Sequence, residues 1–320
     1  MQGTVIRSSR NIFILKPDPE EPVQGEISCR IKGKTLKNAE GYYNPLAPGD
    51  RVSFESDPRQ TRQGMILAAE KRRNAFTRLN RLQKGSGPHK SAAVQVLAAN
   101  VDLLLCVTTP SAPPFRPRFL DRLLVQAEIA GIPPLIVCNK CDLSENDPDV
   151  EERLSDFIRI GYPAVKVSAR TGEGIAELKN LLKNRFSVLI GQSGVGKSSL
   201  INALIPHSGV KVGALTEKYD RGSHTTAMSS MLEIPGSAGC IIDTPGVRRF
   251  VPEGVAPEEV IRYMREFTPL AGKCTYGHSC SHRSEPGCKI LEAVTAGFIH
   301  EDRYESFLRI QDELRAERAW

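Results

Sequence analysis

Gly191-Gln192-Ser193-Gly194-Val195-Gly196-Lys197-Ser198-Ser199 is the stretch whose reading decides the fold. It fills every fixed position of G-x-x-x-x-G-K-[ST], the loop that cradles phosphates. FSVLI at 186–190 precedes it as a buried strand, and SLINAL at 199–204 follows with helical spacing. A chance glycine turn is the bland alternative, but strand, glycine loop and helix in that order are the context the motif needs. Glycines let successive backbone N–H groups point inward, and a helix N-terminus favours an anion. Lys197 is placed to reach the β/γ-phosphates, and Ser198 to put its hydroxyl on Mg²⁺. The expectation is a nucleoside triphosphate site formed by Gly191 through Ser199.

Working upstream, PLIVC at 134–138 reads as a strand that ends in Asn139-Lys140-Cys141-Asp142. A carboxylate at Asp142 can accept from guanine N1–H and its 2-amino group together. Adenine has no donor at either place and would strand the charge, and sites of this kind discriminate by about 10⁴. Lys140 would lay its methylenes along the base while Asn139 braces the loop. After the next strand, AVKV at 164–167, Ser168 and Ala169 follow, with the Ala169 N–H offered to guanine O6. Alone, an Asn-Lys-x-Asp string is mostly a turn; beside a phosphate loop it points to GTP.

Working downstream, GCIID at 239–243 delivers Asp243-Thr244-Pro245-Gly246. Asp243 suits Mg²⁺ through water, and the Gly246 N–H suits the γ-phosphate. Between loop and strand lies RGSHTT at 221–226, which offers Thr225 or, preferably, Thr226 as a second Mg²⁺ ligand. The place where Ras-type enzymes carry a water-orienting glutamine holds Val247, so His224 is the nearest group able to position water. The guanine-reading motifs normally follow these elements; here they precede them. The sequence is therefore a circular permutation, the same sheet cut at a different loop.

The remaining chain supplies two flanking modules. Residues 1–72 hold five short apolar segments separated by turn residues, which suggests a small OB-like β-barrel. Its Arg7, Arg10, Lys16, Arg30, Lys32, Lys34 and Lys37 suit RNA as well as they suit an ordinary solvated face. Residues 73–91 are basic and Gly/Ser/Pro-bearing and read as a linker; strand–helix alternation over 92–250 gives a parallel sheet with helices on both faces. The barrel is expected to be tethered at the guanine-motif end of that sheet. Net charge is +6 over 320 residues, mildly basic and consistent with a polyanionic partner. The apolar runs are too short for a membrane span and no leader opens the sequence, so a cytoplasmic place is expected.

Residues 251–320 form the third unit. Cys274-x₅-Cys280-x-His282-x₅-Cys288 offers three thiolates and an imidazole within fifteen residues, a set suited to one closed, structural Zn²⁺ per chain. His278 is a rival ligand by spacing. Cys29, Cys106, Cys138, Cys141 and Cys240 lie in or beside strands as small hydrophobes. Segments 289–299 and 303–315 read as helices.

Barrel, permuted GTPase and cysteine-rich tail in this order resemble the bacterial RsgA/YjeQ family of circularly permuted, small-ribosomal-subunit-dependent GTPases. The match is carried by Ala99–Asp102, Leu120–Arg122, Asn139–Leu143, Gly191–Ser199, Arg221–Thr226, Asp243–Gly246 and the tail cluster. The resemblance implies an α/β circularly permuted P-loop GTPase domain with an N-terminal OB-like barrel and a C-terminal zinc-binding α-helical domain. It implies His282 rather than His278 as the fourth zinc ligand, and a catalytic His224. It also implies GTP hydrolysis in late assembly of the small subunit, with 16S rRNA and assembly factors as partners and a monomeric chain. The rival expectations are a permuted GTPase of the large subunit or of tRNA, and a non-hydrolysing RNA-binding scaffold.

Overall fold

The computed structural model describes residues 1–9, 11–33, 36, 44–60, 62–80, 93–143, 148–206, 229–244 and 250–318. Five strands open the chain: β1 (Gln2–Ser9), β2 (Ile12–Pro17), β3 (Ile27–Ile31), β4 (Arg51–Ser56) and β5 (Gln63–Ala69). They pair in the order β1-β2-β3-β5-β4, and β4 returns to β1 to close the barrel. β3 and β5 are parallel and the other pairs antiparallel. Alternation explains the closure: Val5, Phe13, Leu15, Ile27, Cys29, Val52, Phe54 and Ile66 point inward and are buried together.

The next segment departs from the expected linker. Ala75–Asn80 is a strand, β6, paired antiparallel with β7 (Ala93–Ala99). Basic composition concealed an apolar anchor: Phe76 is fully buried in the central core and stacks on Phe250 at 5.7 Å between ring centres. Residues 81–91 of that expected linker lie outside the described residues.

The central sheet runs β10-β9-β8-β11-β13-β12. Its strands are β8 (Leu103–Thr108), β9 (Pro134–Asn139), β10 (Ala164–Val167), β11 (Phe186–Gly191), β12 (Ser230–Ile234) and β13 (Gly239–Asp243). All neighbours are parallel except β12, which lies antiparallel to β13. Helices α1 (Pro117–Ala130) and α2 (Pro148–Arg159) cover one face, sharing a core with Leu104, Ile136 and Val188. Helices α3 (Ile175–Leu181) and α4 (Lys197–Leu204) cover the other, packed on Leu105, Val137 and Leu189. Strands buried on both faces read as near-continuous apolar runs, as 103–107 and 134–138 do.

β12 was not anticipated, and it moves the barrel's attachment. β1 pairs antiparallel with β12, with Arg7 opposite Ser230, so barrel and sheet share eleven strands. The barrel thus sits at the edge opposite the guanine-motif strands β9 and β10, contrary to the expected tether. An edge strand carries unpaired N–H and C=O groups, and β1 covers one end of that edge at Arg7–Ser230. A Lys16–Glu233 ion pair ties β2 to the same edge strand. The covalent passage is fixed separately: Asn100 Nδ2 donates to Gly49 O at 2.9 Å, and Asn100 Oδ1 accepts from Arg73 N–H at 2.8 Å. Gly49 is left-handed (φ +94°), and any side chain there would strike the Ala99 carbonyl.

The tail packs α5 (Lys289–Thr295) and α6 (Glu301–Arg318) around Phe267, Phe307, Ile290 and Ile310. The first of these helices is shorter than expected because Gly297 turns left-handed (φ +74°). The charges of α6 do not all face solvent. Arg303 is buried between Asp121 of α1 and Glu266, each 2.6 Å away, and Arg122 meets Glu313 at 2.7 Å. Among the described residues, no helix is long and apolar enough to cross a membrane.

Candidate nucleotide site and metal centre

The expected nucleotide residues converge at the carboxyl ends of β9, β10, β11 and β13, where an open parallel sheet presents its ligand crevice. Between β11 and α4 the chain turns through Gly194 (φ +86°) and Gly196 (φ +89°), conformations that favour glycine. A side chain at Gly196 would also collide with the Asn139 amide. Lys197 folds back over the loop, donating from Nζ to the carbonyls of Gly191 and Gln192 at 2.8 Å each. Burial pushes its ammonium down to about 8, with the nearby Asp243 carboxylate working against that shift. Asp243 is itself pushed up to about 6 by burial, partly offset by Lys197. Each charge therefore under-compensates the other, and the cradle suits an added anion beside Lys197 and an added cation beside Asp243. Ser198 stands in the first turn of α4, where its hydroxyl can join Asp243 in holding Mg²⁺. His224, Thr225, Thr226, Gly246 and Val247 lie outside the described residues.

The loop after β9, expected to read guanine, is braced by side-chain hydrogen bonds. Asn139 is buried; its Nδ2 donates to Val195 O at 2.9 Å, and its Oδ1 accepts from the Ala169 N–H at 3.1 Å. One amide thus ties the base-reading loop to the phosphate loop and to the turn after β10. The Ala169 N–H expected at guanine O6 is engaged by Asn139 here. Lys140 is left-handed (φ +64°) and donates from Nζ to Ala112 O at 2.5 Å and Gly194 O at 2.8 Å. Asp142 Oδ1 accepts from Ser168 Oγ at 2.6 Å, while Arg170 Nη2 lies 2.6 Å from Oδ2. The Ser168 hydrogen bond is the main reason the Asp142 carboxyl sits below its ordinary value, with Arg170 adding to it. Ser168 is fully buried and meets the carboxylate through its hydroxyl.

In the tail, Cys274, Cys280, His282 and Cys288 form the one cluster of this kind among the described residues, all four buried, with ligand atoms within 4.8 Å of one another. His282 Nδ1 is 3.5 Å from Cys274 Sγ and 3.4 Å from Cys288 Sγ, and the two sulfurs are 3.9 Å apart. Bond lengths of about 2.3 Å to sulfur and 2.0 Å to nitrogen give tetrahedral edges of roughly 3.5–3.8 Å, so the cluster fits Zn²⁺. His278 is not in the group; its ring lies against Gly272. The loop between His282 and Cys288 is held by Glu285, whose carboxylate accepts from the N–H groups of Ser281 at 2.7 Å and Arg283 at 2.9 Å. Tyr304 OH of α6 donates to His282 O at 2.7 Å, tying the cluster to the helix.

Comparison with known proteins agrees with this geometry. Residues 70–252 match the RsgA GTPase family. The chain belongs to that family. A small ribosomal subunit biogenesis GTPase RsgA of Chlorobaculum parvum is 40% identical over 316 residues, covering 98% of each chain. One of Bacteroides fragilis is 36% identical, covering 98% of this chain and 97% of its own. Among solved structures, YjeQ from Thermotoga maritima superposes with a TM-score of 0.73 at 31% identity, with 98% of both chains covered. YloQ, described as a circularly permuted GTPase, shares the fold with a TM-score of 0.69 at 22% identity. The chain is a GTPase, and its sheet has the permuted order.

Membership also explains stretches that carry no chemistry. Asn100 and Asp102 form the barrel joint: Asp102 Oδ2 accepts from the Phe186 N–H at 2.9 Å and Oδ1 meets Arg73 at 2.5 Å. Asp121 and Arg122 form the tail joint on α1. Sequence reasoning did not reach Arg170 or the Ala112 carbonyl as partners of Asp142 and Lys140. The proline-rich segment 109–114 after a buried strand was the available signal for a shaped loop, and there Thr109 Oγ1 donates to Pro113 O at 2.8 Å.

Proposed function

We propose that this GTPase binds the small ribosomal subunit and acts in its late maturation, contacting 16S rRNA through the barrel (1–72) and the tail (251–320). The observation that carries this reading is likeness over nearly the whole chain, flanking modules included, to proteins named small ribosomal subunit biogenesis GTPases. GTP and GDP occupy the cradle of Gly191–Ser199, with Asn139, Lys140, Cys141, Asp142, Ser168 and Ala169 around the base and Asp243 and Gly246 towards the γ-phosphate. Mg²⁺ is held by Ser198, Thr226 and, through water, Asp243, and screens charge between the phosphates. The tail cluster holds one structural Zn²⁺. The protein works as a cytoplasmic monomer whose GTP state times the release of the subunit or of an assembly factor on it.

Within this reading Lys197 leaves its two carbonyls for phosphate oxygens, and the buried charges of Lys197 and Asp243 gain the partners they lack. His224 positions the attacking water in the subunit-bound state, since Val247 has no group for that task. The deciding measurement is GTP turnover by the full chain, alone and with purified small or large subunits. The reading expects slow turnover alone and acceleration by the small subunit only, largely lost in His224→Ala with GTP affinity retained. Acceleration by the large subunit, or no turnover under any condition, would overturn it. Undiminished stimulation in His224→Ala would remove that histidine from the mechanism.

A further inference from the structure

Asp142 carries the guanine reading, yet its carboxylate is already satisfied. Its side chain is 10% exposed, with Ser168 Oγ on one oxygen and Arg170 Nη2 on the other, each at 2.6 Å. The two partners differ in how they are held. Ser168 is fully buried and its Oγ also accepts from the Thr171 N–H at 3.1 Å. Arg170 rides on a turn closed by Gly172 N–H to Ser168 O at 2.9 Å, with Gly172 left-handed (φ +87°). Its backbone is therefore pinned beside the carboxylate. Its side chain is 73% exposed, so the guanidinium can leave by rotamer change alone.

The chemistry of the two suitors matches. A guanidinium offers coplanar N–H donors to a carboxylate. The Watson–Crick edge of guanine offers N1–H and the 2-amino group, also coplanar. Arg170 reaches Asp142 through one nitrogen on Oδ2, the oxygen that Ser168 leaves for a base donor.

We propose that Arg170 is a specificity-positioning residue whose guanidinium stands in for guanine on Asp142 in the empty site, so that an incoming base must displace it. This rests on the guanine-site reading above. A base with two matching donors replaces the ion pair like for like. Adenine, which cannot donate there, leaves Arg170 in place across the site and finds it closed. The gate acts at entry: the guanidinium returns to water when the base is seated and makes no contact that holds it.

The test is stopped-flow binding of a fluorescent GDP analogue to the full chain. Arg170→Ala should raise the association rate about two- to fivefold, the size of a largely exposed ion pair, and leave dissociation unchanged. Arg170→Lys, which keeps charge but not the planar fork, should fall between. In an Asp142→Asn background, probed with the xanthosine analogue, Arg170→Ala should have no effect on association. An unchanged or slower association in Arg170→Ala, faster dissociation alone, or a gain that persists beside Asp142→Asn would each overturn the gate. If the wild-type chain binds the ADP analogue as well as the GDP analogue, the guanine reading itself fails, which is a separate result.

Discussion

The nucleotide cradle and the tail cluster are both built from buried polar atoms, but they treat the absence of their ligand oppositely. In the cradle three of the ligand-facing groups have internal substitutes. Lys197 rests on Gly191 and Gln192, Asp142 on Ser168 and Arg170, and Lys140 on Ala112 and Gly194. In the tail, the three thiols and His282 crowd within 4.8 Å with chiefly one another for company. Burial there pushes the Cys280 thiol up to about 12, which disfavours its thiolate unless a cation takes the charge. A site with substitutes can empty and refill without unfolding, as a switch must. A site without them is a staple, whose ligand energy is folding energy.

The largest expected effect breaks the staple. Cys280→Ser or Cys288→Ser should abolish stoichiometric zinc, measured by elemental analysis. Structural zinc in small sites contributes roughly 10 kcal/mol or more, so residues 265–300 should become protease-sensitive. GDP binding by the same variants should survive, because the cradle shares no residue with the cluster. Full zinc in both variants would show that these cysteines are not ligands.

The next two tests empty the switch in different ways. Lys197→Ala removes a buried ammonium aimed at two phosphates and should weaken GTP about 10³-fold by equilibrium binding, as the loss of two charged hydrogen bonds implies. The melting temperature of the empty protein should fall only modestly, because two hydrogen bonds to loop carbonyls and the partial offset of the Asp243 charge are lost. Asp142→Asn should cost GTP roughly 10²-fold and shift preference towards xanthosine triphosphate. A variant that still prefers GTP by the wild-type margin would take Asp142 out of base recognition. Either variant that unfolds the empty chain would blur the contrast between switch and staple.

How much of this was legible depends on where each residue's partner lies. The phosphate loop and Asn139–Asp142 are local patterns, so both halves of the proposed crevice could be named from sequence, and the permuted order was legible. The four residues of the Cys/His cluster fall within fifteen residues, and their grouping was readable. β12 was not: residues 230–234 mix Ser230 and Glu233 with half-buried Met231 and Leu232, and the strand exists because β13 and β1 flank it. Phe76 hid in a basic stretch because its partner, Phe250, is far along the chain. Asn100, Asp102, Asp121 and Arg122 stood out by resemblance but had no role until the joints were visible. Arg170 carries no pattern at all. Polar residues whose partners are distant look the same in sequence as solvated ones.

The smallest expected effect separates the two sites by pH. In the empty cradle Asp243 titrates near 6 and Lys197 near 8, so both are charged only between those values. Mg·GTP needs the carboxylate ionised and the ammonium protonated. Below pH 6 a proton must leave Asp243 before the cation is held, and above pH 8 one must be gained by Lys197. Affinity should therefore be flat from about pH 6 to 8 and fall up to tenfold per unit on either side. The nucleotide's own phosphate also titrates on the acid side, so the profile is repeated with GDP in chelator, where the Asp243 contribution vanishes and the phosphate contribution stays. Stability gives an independent check of sign. A carboxyl raised from 3.8 to about 6 binds its proton more tightly when folded, so the empty protein should lose stability as pH rises through that window and Mg·GTP should restore it. The alkaline side then discriminates between the sites. Raising pH from 8 to 9 favours thiolates and should leave zinc content full, while GTP affinity drops toward a tenth. A flat GTP profile to pH 9.5 would mean that Lys197 keeps its ordinary basicity, and that the empty cradle is better compensated than its geometry indicates.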